Sequence, residues 1–272
     1  VARFFQKYGY YALSIGRMMV GFRNFPAIVK TMLVKKLTHP RLVTLQNGVR
    51  YLIRGKMDIW SVKETWLDNF YERYGYQIEP DWSIIDIGGG IGEFTIFASQ
   101  KAQQGQVFAF EPFPSSYQLL INNLAMNHIT NCTAIQRAVS TNGETILLDS
   151  SNGEPLQVQS LTGNHRTSNG DFTAVESDTL KDVFTKYQLS RCHLLKLDCE
   201  GAEYDILFSS GDALSLVERI VLEYHHVNGH TVDELSTFLG SNGYVVETFP
   251  NRVHDHIGYL RAIRVELMES LS

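Results

Sequence analysis

Cysteine is scarce: Cys132, Cys192 and Cys199 are the only three in 272 residues. The number is odd and no Cys-x-x-Cys spacing occurs, so the pattern is not that of a disulfide framework. Cys192 and Cys199 fall in or near a predicted core strand. All three read as reduced packing residues of a reducing compartment, which points to the cytoplasm. No apolar run reaches the roughly 18 to 20 residues that a membrane-spanning helix needs. Acidic residues are missing from the whole N-terminal fifth, the first being Asp58. Residues 1–57 hold eleven Lys or Arg, whereas the remainder holds thirteen basic and twenty-nine acidic residues. The net charge of −5 therefore conceals a basic segment joined to an acidic body. Such an asymmetry implies a basic face for an anionic surface or ligand, or docking onto the acidic body itself. The chain opens at Val1, and a targeting peptide upstream of it would be invisible here.

What remains is an ordinary globular composition, 44% apolar and 19% charged. The length suits one large domain with an extension: a basic helical and hairpin segment over 1–57, then an α/β domain over 58–272. Residues 1–37 read as one or two amphipathic helices broken at Asn24-Phe25-Pro26. Phe4, Phe5, Tyr8, Leu13, Met18 and Phe22 interleave there with Arg3, Lys7, Arg17 and Arg23. That pattern fits a cap packed on the domain, and it also fits an interfacial helix on a membrane surface. No nucleic-acid recognition motif accompanies it. Asn47-Gly48 between two apolar runs predicts a β-hairpin over 42–53. Ser61-Val62-Lys63-Glu64 predicts a capping box opening a helix that ends near Tyr74-Gly75.

From Trp82 onward strand-like and helix-like segments alternate, the pattern of a parallel sheet. Strands are expected at 83–87, 106–111, 132–136, 193–198 and 219–223. Helices are expected at 92–100, 115–127, 178–187, 202–208 and 231–241. A polar excursion over 141–172 reads as loops and short strands, and 244–249 with 259–265 as a closing antiparallel pair.

The stretch Ile85-Asp86-Ile87-Gly88-Gly89-Gly90-Ile91-Gly92-Glu93-Phe94-Thr95 is the ligand loop of this sheet. It takes a buried strand through closely spaced glycines into a helix, at the carboxyl edge where open α/β sheets bind ligands. Glu111 ends the next strand, nineteen residues after Gly92, where a carboxylate can accept from both hydroxyls of an adenosine ribose. Two ligand classes want that arrangement, dinucleotides and S-adenosylmethionine. No frame of these glycines gives Gly-x-Gly-x-x-Gly, and Glu93 at the helix start would repel a pyrophosphate. The spacing Asp-x-Gly-x-Gly-x-Gly suits the zwitterionic methionine moiety instead.

These residues resemble motif I of class I methyltransferases and, more closely, the FkbM-type family. Phe110-Glu111-Pro112, Leu195-Lys196-Leu197-Asp198-Cys199-Glu200-Gly201-Ala202-Glu203 and Val221-Leu222-Glu223-Tyr224-His225 echo the same family in order and spacing, over about residues 45–250. The resemblance implies a Rossmann-like α/β fold, a mostly parallel seven-stranded sheet with helices on both faces. It implies S-adenosylmethionine as cofactor, held by Asp86, Gly88, Gly90, Gly92, Thr95 and Glu111. One departure is Gly89-Gly90, where the family more often has Ala-Asn, so a side-chain contact at position 90 is missing. Residues 1–40 lie outside the resemblance.

Methyl transfer to a hydroxyl needs a base for its proton. Candidates come from the ends of the fourth and fifth strands: Asp198 first, with Glu200 and Glu203 after it, then Glu223 and His225. Strand alternation puts Glu223 and His225 on one face, Tyr224 and His226 on the other. Helix capping by the carboxylates and a plain surface loop for the histidines, His254 and His256 included, are the alternatives. A divalent cation on Asp198, Glu223 and His225 has no ligand motif behind it, and no metal is expected. The expected activity is O-methylation of a carbohydrate, glycolipid or secondary metabolite. N- or C-methylation, or cofactor binding without turnover, remain alternatives. The expected partner is a small-molecule or glycan acceptor, without nucleic acid and with peripheral membrane contact through the basic segment.

Overall fold

The computed structural model describes residues 2–34, 37–149, 172–225, 229–251 and 257–269. An N-terminal layer comes first: helices α1 (Ala2–Gly21) and α2 (Phe25–Leu33), strands β1 (Arg41–Thr44) and β2 (Arg50–Ile53), then helices α3 (Lys56–Trp66) and α4 (Phe70–Arg73). The chain then alternates through β3 (Ser83–Ile87), α5 (Glu93–Lys101), β4 (Gln106–Phe110), α6 (Pro114–Met126) and β5 (Cys132–Ile135). Short strands β6 (Ala138–Val139), β7 (Ile146–Asp149), β8 (Phe172–Val175) and β9 (Ser177–Asp178) precede α7 (Leu180–Lys186). The rest is β10 (Leu194–Leu197), α8 (Glu203–Ser209), β11 (Arg219–His225), α9 (Val232–Ser241), β12 (Tyr244–Pro250), β13 (Ile257–Arg264) and α10 (Val265–Glu269).

Seven strands form one sheet in the order β12-β13-β11-β10-β3-β4-β5. From β11 to β5 every pairing is parallel, and β13 runs antiparallel to both β11 and β12. This is the Rossmann-like class I arrangement that the motifs imply. Alternation along β3 sends Ile85 and Ile87 to the face covered by α7, α8 and α9, through Val183, Leu207 and Leu235. Ile84 points the other way and packs with Phe94 and Phe97 of α5. The strand order reverses between β3 and β10, and the crevice beyond their carboxyl ends is where such sheets place ligands.

The hairpin forms at Asn47-Gly48 as expected, with Gly48 at φ +94°. Its inward residues Val43, Tyr51 and Ile53 share one core with Met18 of α1, Phe22 just after it, Ile96 of α5 and Leu120 of α6. Strand β2 would leave an open edge toward α6, and asparagine side chains close it. Leu52 and Arg50 donate their N–H groups to Oδ1 of Asn123 (2.7 Å) and Asn127 (2.9 Å). The end of the hairpin is thereby fixed beside the sheet's crevice.

One local expectation fails. Helix α3 opens at Lys56, not at Ser61, and stops at Trp66 before the separate turn of α4. Asp58 in its first turn accepts the N–H of Arg54, the residue before the N-cap Gly55, at 2.6 Å, which ties the incoming chain to the helix start upstream of the sequence signature. Ser61 lies inside the helix and donates its hydroxyl to the Met57 carbonyl at 3.2 Å. His226, His254, His256 and most of the polar excursion, 150–171, lie outside the described residues.

Candidate active site

After β3 the chain turns through Gly88, Gly90 and Gly92, with φ of +80°, +54° and +93°. At Gly88 the demand is also steric, because a Cβ there would lie 1.9 Å from the Asp198 carbonyl oxygen. The loops after β3 and β10 touch backbone to backbone, which glycine alone permits. Gly88 and Gly89 donate N–H to the Phe110 carbonyl at 3.0 and 2.9 Å, tying the loop to the end of β4.

Beneath the loop lies a buried ion pair. Asp86 is fully buried; its Oδ1 is 2.9 Å from Lys196 Nζ and its Oδ2 accepts the Thr95 hydroxyl at 2.6 Å. Lys196 also donates to the Gly88 carbonyl at 2.7 Å. Burial pulls the Lys196 ammonium down, but the carboxylates of Asp86, Asp198 and Glu93 outweigh it and hold it above its ordinary value. Asp86, Gly92 and Thr95 thus brace the loop from behind. None of them lines the cavity in front, unlike Gly88 and Gly90.

That cavity, about 560 Å³, opens beyond the carboxyl ends of β3, β4 and β10. Glu111 stands on its wall, with Oε2 accepting the Gly90 N–H at 2.7 Å and Oε1 the Phe113 N–H at 2.9 Å. Burial pushes its carboxyl up to about 7, against the pull of those two hydrogen bonds. Beside it, Arg54 forks onto Asp58 at 2.9 and 3.2 Å and donates to the Ser116 hydroxyl at 2.8 Å. Glu93, first residue of α5, completes this side of the wall.

The other side is built by the loop after β10, where Asp198 and Glu200 line the cavity. Glu200 adopts φ +54°, a left-handed conformation unusual for a side chain with a Cβ. The loop is held there by Glu203, whose oxygens accept the N–H groups of Cys199 (2.8 Å) and Gly201 (2.9 Å). Backbone strain of this sort is kept only where surroundings over-determine it, and it clusters at functional sites. His225, at the end of β11, places Nδ1 3.3 Å from Glu203 Oε1 and Nε2 3.4 Å from Glu200 Oε2. Burial drives Glu200 up to about 7, the Asp198 charge adds to it, and His225 opposes.

The structure therefore brings Asp198 and His225 together, as the sequence predicts, but the third member is Glu200. Asp198, Glu200 and His225 offer ligand-type atoms all within 4.8 Å of one another. Glu223 shares a face with His225, and neither of them lines the cavity, which Asp198 and Glu200 reach. Its burial, with the charges of Asp198 and Glu64, lifts its carboxyl well above the ordinary range. Arg54 and Asp58 escaped sequence reasoning because the hairpin end carries no chemical motif. Lys196 and Glu93 sat within recognised motifs, and only the fold gives them partners.

Three relatives share this sequence at low identity across most of their length. "Methyltransferase sdnD" of Sordaria araneosa is 29% identical over 218 residues, 70% of this chain and 83% of that protein. "Methyltransferase 1" of Beauveria bassiana is 28% identical over 202 residues, 68% of this chain and 80% of that one. The "31-O-demethyl-FK506 methyltransferase FkbM" of Streptomyces tacrolimicus is 27% identical over 211 residues, covering 68% and 80%. The family model described as the methyltransferase FkbM domain matches residues 86–246, from the ion-paired aspartate to β12.

Proposed function

The chain belongs to the methyltransferase FkbM family, and from that premise we propose that it methylates a hydroxyl of a carbohydrate, glycolipid or secondary metabolite with S-adenosylmethionine. When bound, that cofactor supplies an electrophilic methyl on a sulfonium centre. The observation that supports the reading is one cavity with Glu111 on one wall and Asp198 with Glu200 on another. Each Glu111 oxygen accepts one backbone N–H, which orients the carboxylate and leaves lone pairs for two ribose hydroxyls. Phe113, Val139 and Ile146 supply apolar surface suited to an adenine. Carboxylates around the glycine loop suit a cationic ligand and oppose a pyrophosphate.

Glu200 fits the base. Its carboxyl lies near 7, where a group can hold the correct protonation state and still take a proton. Asp198 adds negative charge beside it, and His225, held in cationic form by Glu203, anchors the loop. The name of one relative specifies a 31-O-demethyl acceptor, which favours oxygen as the receiving atom. Incubation with S-adenosylmethionine and a panel of hydroxyl-bearing glycans and metabolites tests the reading. An acceptor that gains one methyl on oxygen is expected, and methylation confined to nitrogen or carbon would overturn it.

We also propose that the N-terminal helices rest on an anionic lipid surface. Leu13, Ile15, Met19 and Val20 of α1 and Leu33 of α2 are exposed, while Met18, Phe22 and Ile28 face inward. Arg23 and Lys30 are exposed in the same segment, and no acidic residue occurs before Asp58. Exposed apolar side chains in a segment that carries only basic charge suit an interface of anionic headgroups. Among the described residues no helix is long and apolar enough to cross a membrane, so contact would be peripheral.

A further inference from the structure

Glu93 opens α5 on the cavity wall with 9% of its surface exposed. Its Oε2 is buried and has no hydrogen-bond partner. Both carboxylate oxygens lie 3.3 Å from where a Cβ on Gly90 would stand, so the group presses against the bare backbone of the glycine loop. The family's more frequent asparagine at position 90 would crowd it. Neither nearby cation is free to serve it. Lys196 is committed to Asp86 and the Gly88 carbonyl, and Arg54 to Asp58 and Ser116. Burial accordingly pushes the Glu93 carboxyl up to about 8. A buried carboxylate with one oxygen left unpartnered is costly, and a cationic donor entering the cavity would relieve that cost.

We propose that Glu93 receives the primary ammonium of the methionyl moiety of the cofactor. The inference rests on the S-adenosylmethionine reading and adds to it a residue outside the expected cofactor set. An ammonium offers three donors and a full charge, which a doubly lone-paired carboxylate oxygen can accept. The sulfonium cannot take this role, because it donates no hydrogen bond. Glu93 thus replaces, in this chain, the side-chain contact missing at Gly90. Ligands with a free α-amino group are then preferred over adenosyl thioethers that lack one.

Calorimetric titration of the wild type and Glu93→Gln with three ligands tests this. The ligands are S-adenosylhomocysteine, its analogue with the amino group replaced by hydrogen, and 5′-methylthioadenosine, which lacks the amino acid entirely. Glu93→Gln is expected to bind S-adenosylhomocysteine roughly ten- to a hundredfold more weakly, and the other two ligands as the wild type does. An equal loss for all three, or none for S-adenosylhomocysteine, overturns the assignment. Should the variant not fold, the wild type alone decides: deletion of the amino group must weaken binding by roughly tenfold or more. Failure of the wild type to bind any of the three sinks the cofactor reading and this inference with it. Binding of all three with equal affinity sinks the inference alone.

Discussion

His225 Nδ1 lies 3.3 Å from Glu203 Oε1, and Glu203 is fully buried while it also holds the Cys199 and Gly201 N–H groups. Burial favours the neutral imidazole, but Glu203 and Glu200 prevail and raise His225 from 6.5 to about 9. Burial likewise raises Glu203, yet His225 prevails and its carboxyl lies below 4.5. The histidine's contribution to stability is complete below pH 6.5 and is lost as pH climbs through about 9. The glutamate's contribution is complete above 4.5 and is lost on acidification through its lowered value. His225→Asn should therefore cost about 3 kcal/mol, or roughly 6–12 °C in Tm, near pH 6. Thermal melts should show the gap to wild type closing above about pH 9. A gap independent of pH would mean that the pair is not ionised.

Glu200→Gln should lower turnover by roughly 10²–10⁴ while S-adenosylhomocysteine affinity changes little. The rise of wild-type turnover through about pH 7 should vanish in the variant. Asp198→Asn should also reduce turnover more than cofactor affinity. Steady-state kinetics beside calorimetry separates the two effects. Unchanged turnover in Glu200→Gln would remove it as the base.

Dialysis against a chelator should leave activity intact. Asp198, Glu200 and His225 are close enough to share a cation, but His225 is protonated at neutral pH and bound to Glu203. A positive imidazolium repels a divalent ion. Loss of turnover on chelation, restored by added magnesium or manganese, would place a metal on the trio instead.

Vesicles containing phosphatidylserine should sediment the wild type, and neutral vesicles should not. Replacing Leu13 and Val20 with serine, two exposed positions of α1, should abolish sedimentation and leave the thermal midpoint unchanged. Binding that survives both high salt and the double replacement would refute the lipid surface.

Much of the fold is legible because it is written locally. The glycine loop, the Asn47-Gly48 turn and the strand–helix alternation each depend on neighbours in sequence, and each forms. The exceptions have physical causes. Ser61 carries a capping-box signature, but the helix has already begun at Lys56 and encloses it. Glu223 follows from strand alternation, yet alternation says nothing of which groups reach the cavity. Glu200 enters the trio through a left-handed backbone that its own sequence neighbours do not demand. Lys196 and Gly88 are 108 residues apart and meet only because β10 pairs with β3. Arg54 reaches the cavity because Asn123 and Asn127 fasten β2 to α6.

Glu111 carries the central claim, that S-adenosylmethionine occupies this cavity with its ribose on that carboxylate. Calorimetry of S-adenosylhomocysteine with wild type and Glu111→Ala is the most direct measurement. Saturable binding by the wild type is predicted, with a loss of roughly 1–3 kcal/mol in the variant from the missing charge-assisted contact. Equal affinity in both proteins would contradict the ribose assignment, and no binding by the wild type would contradict the cofactor itself.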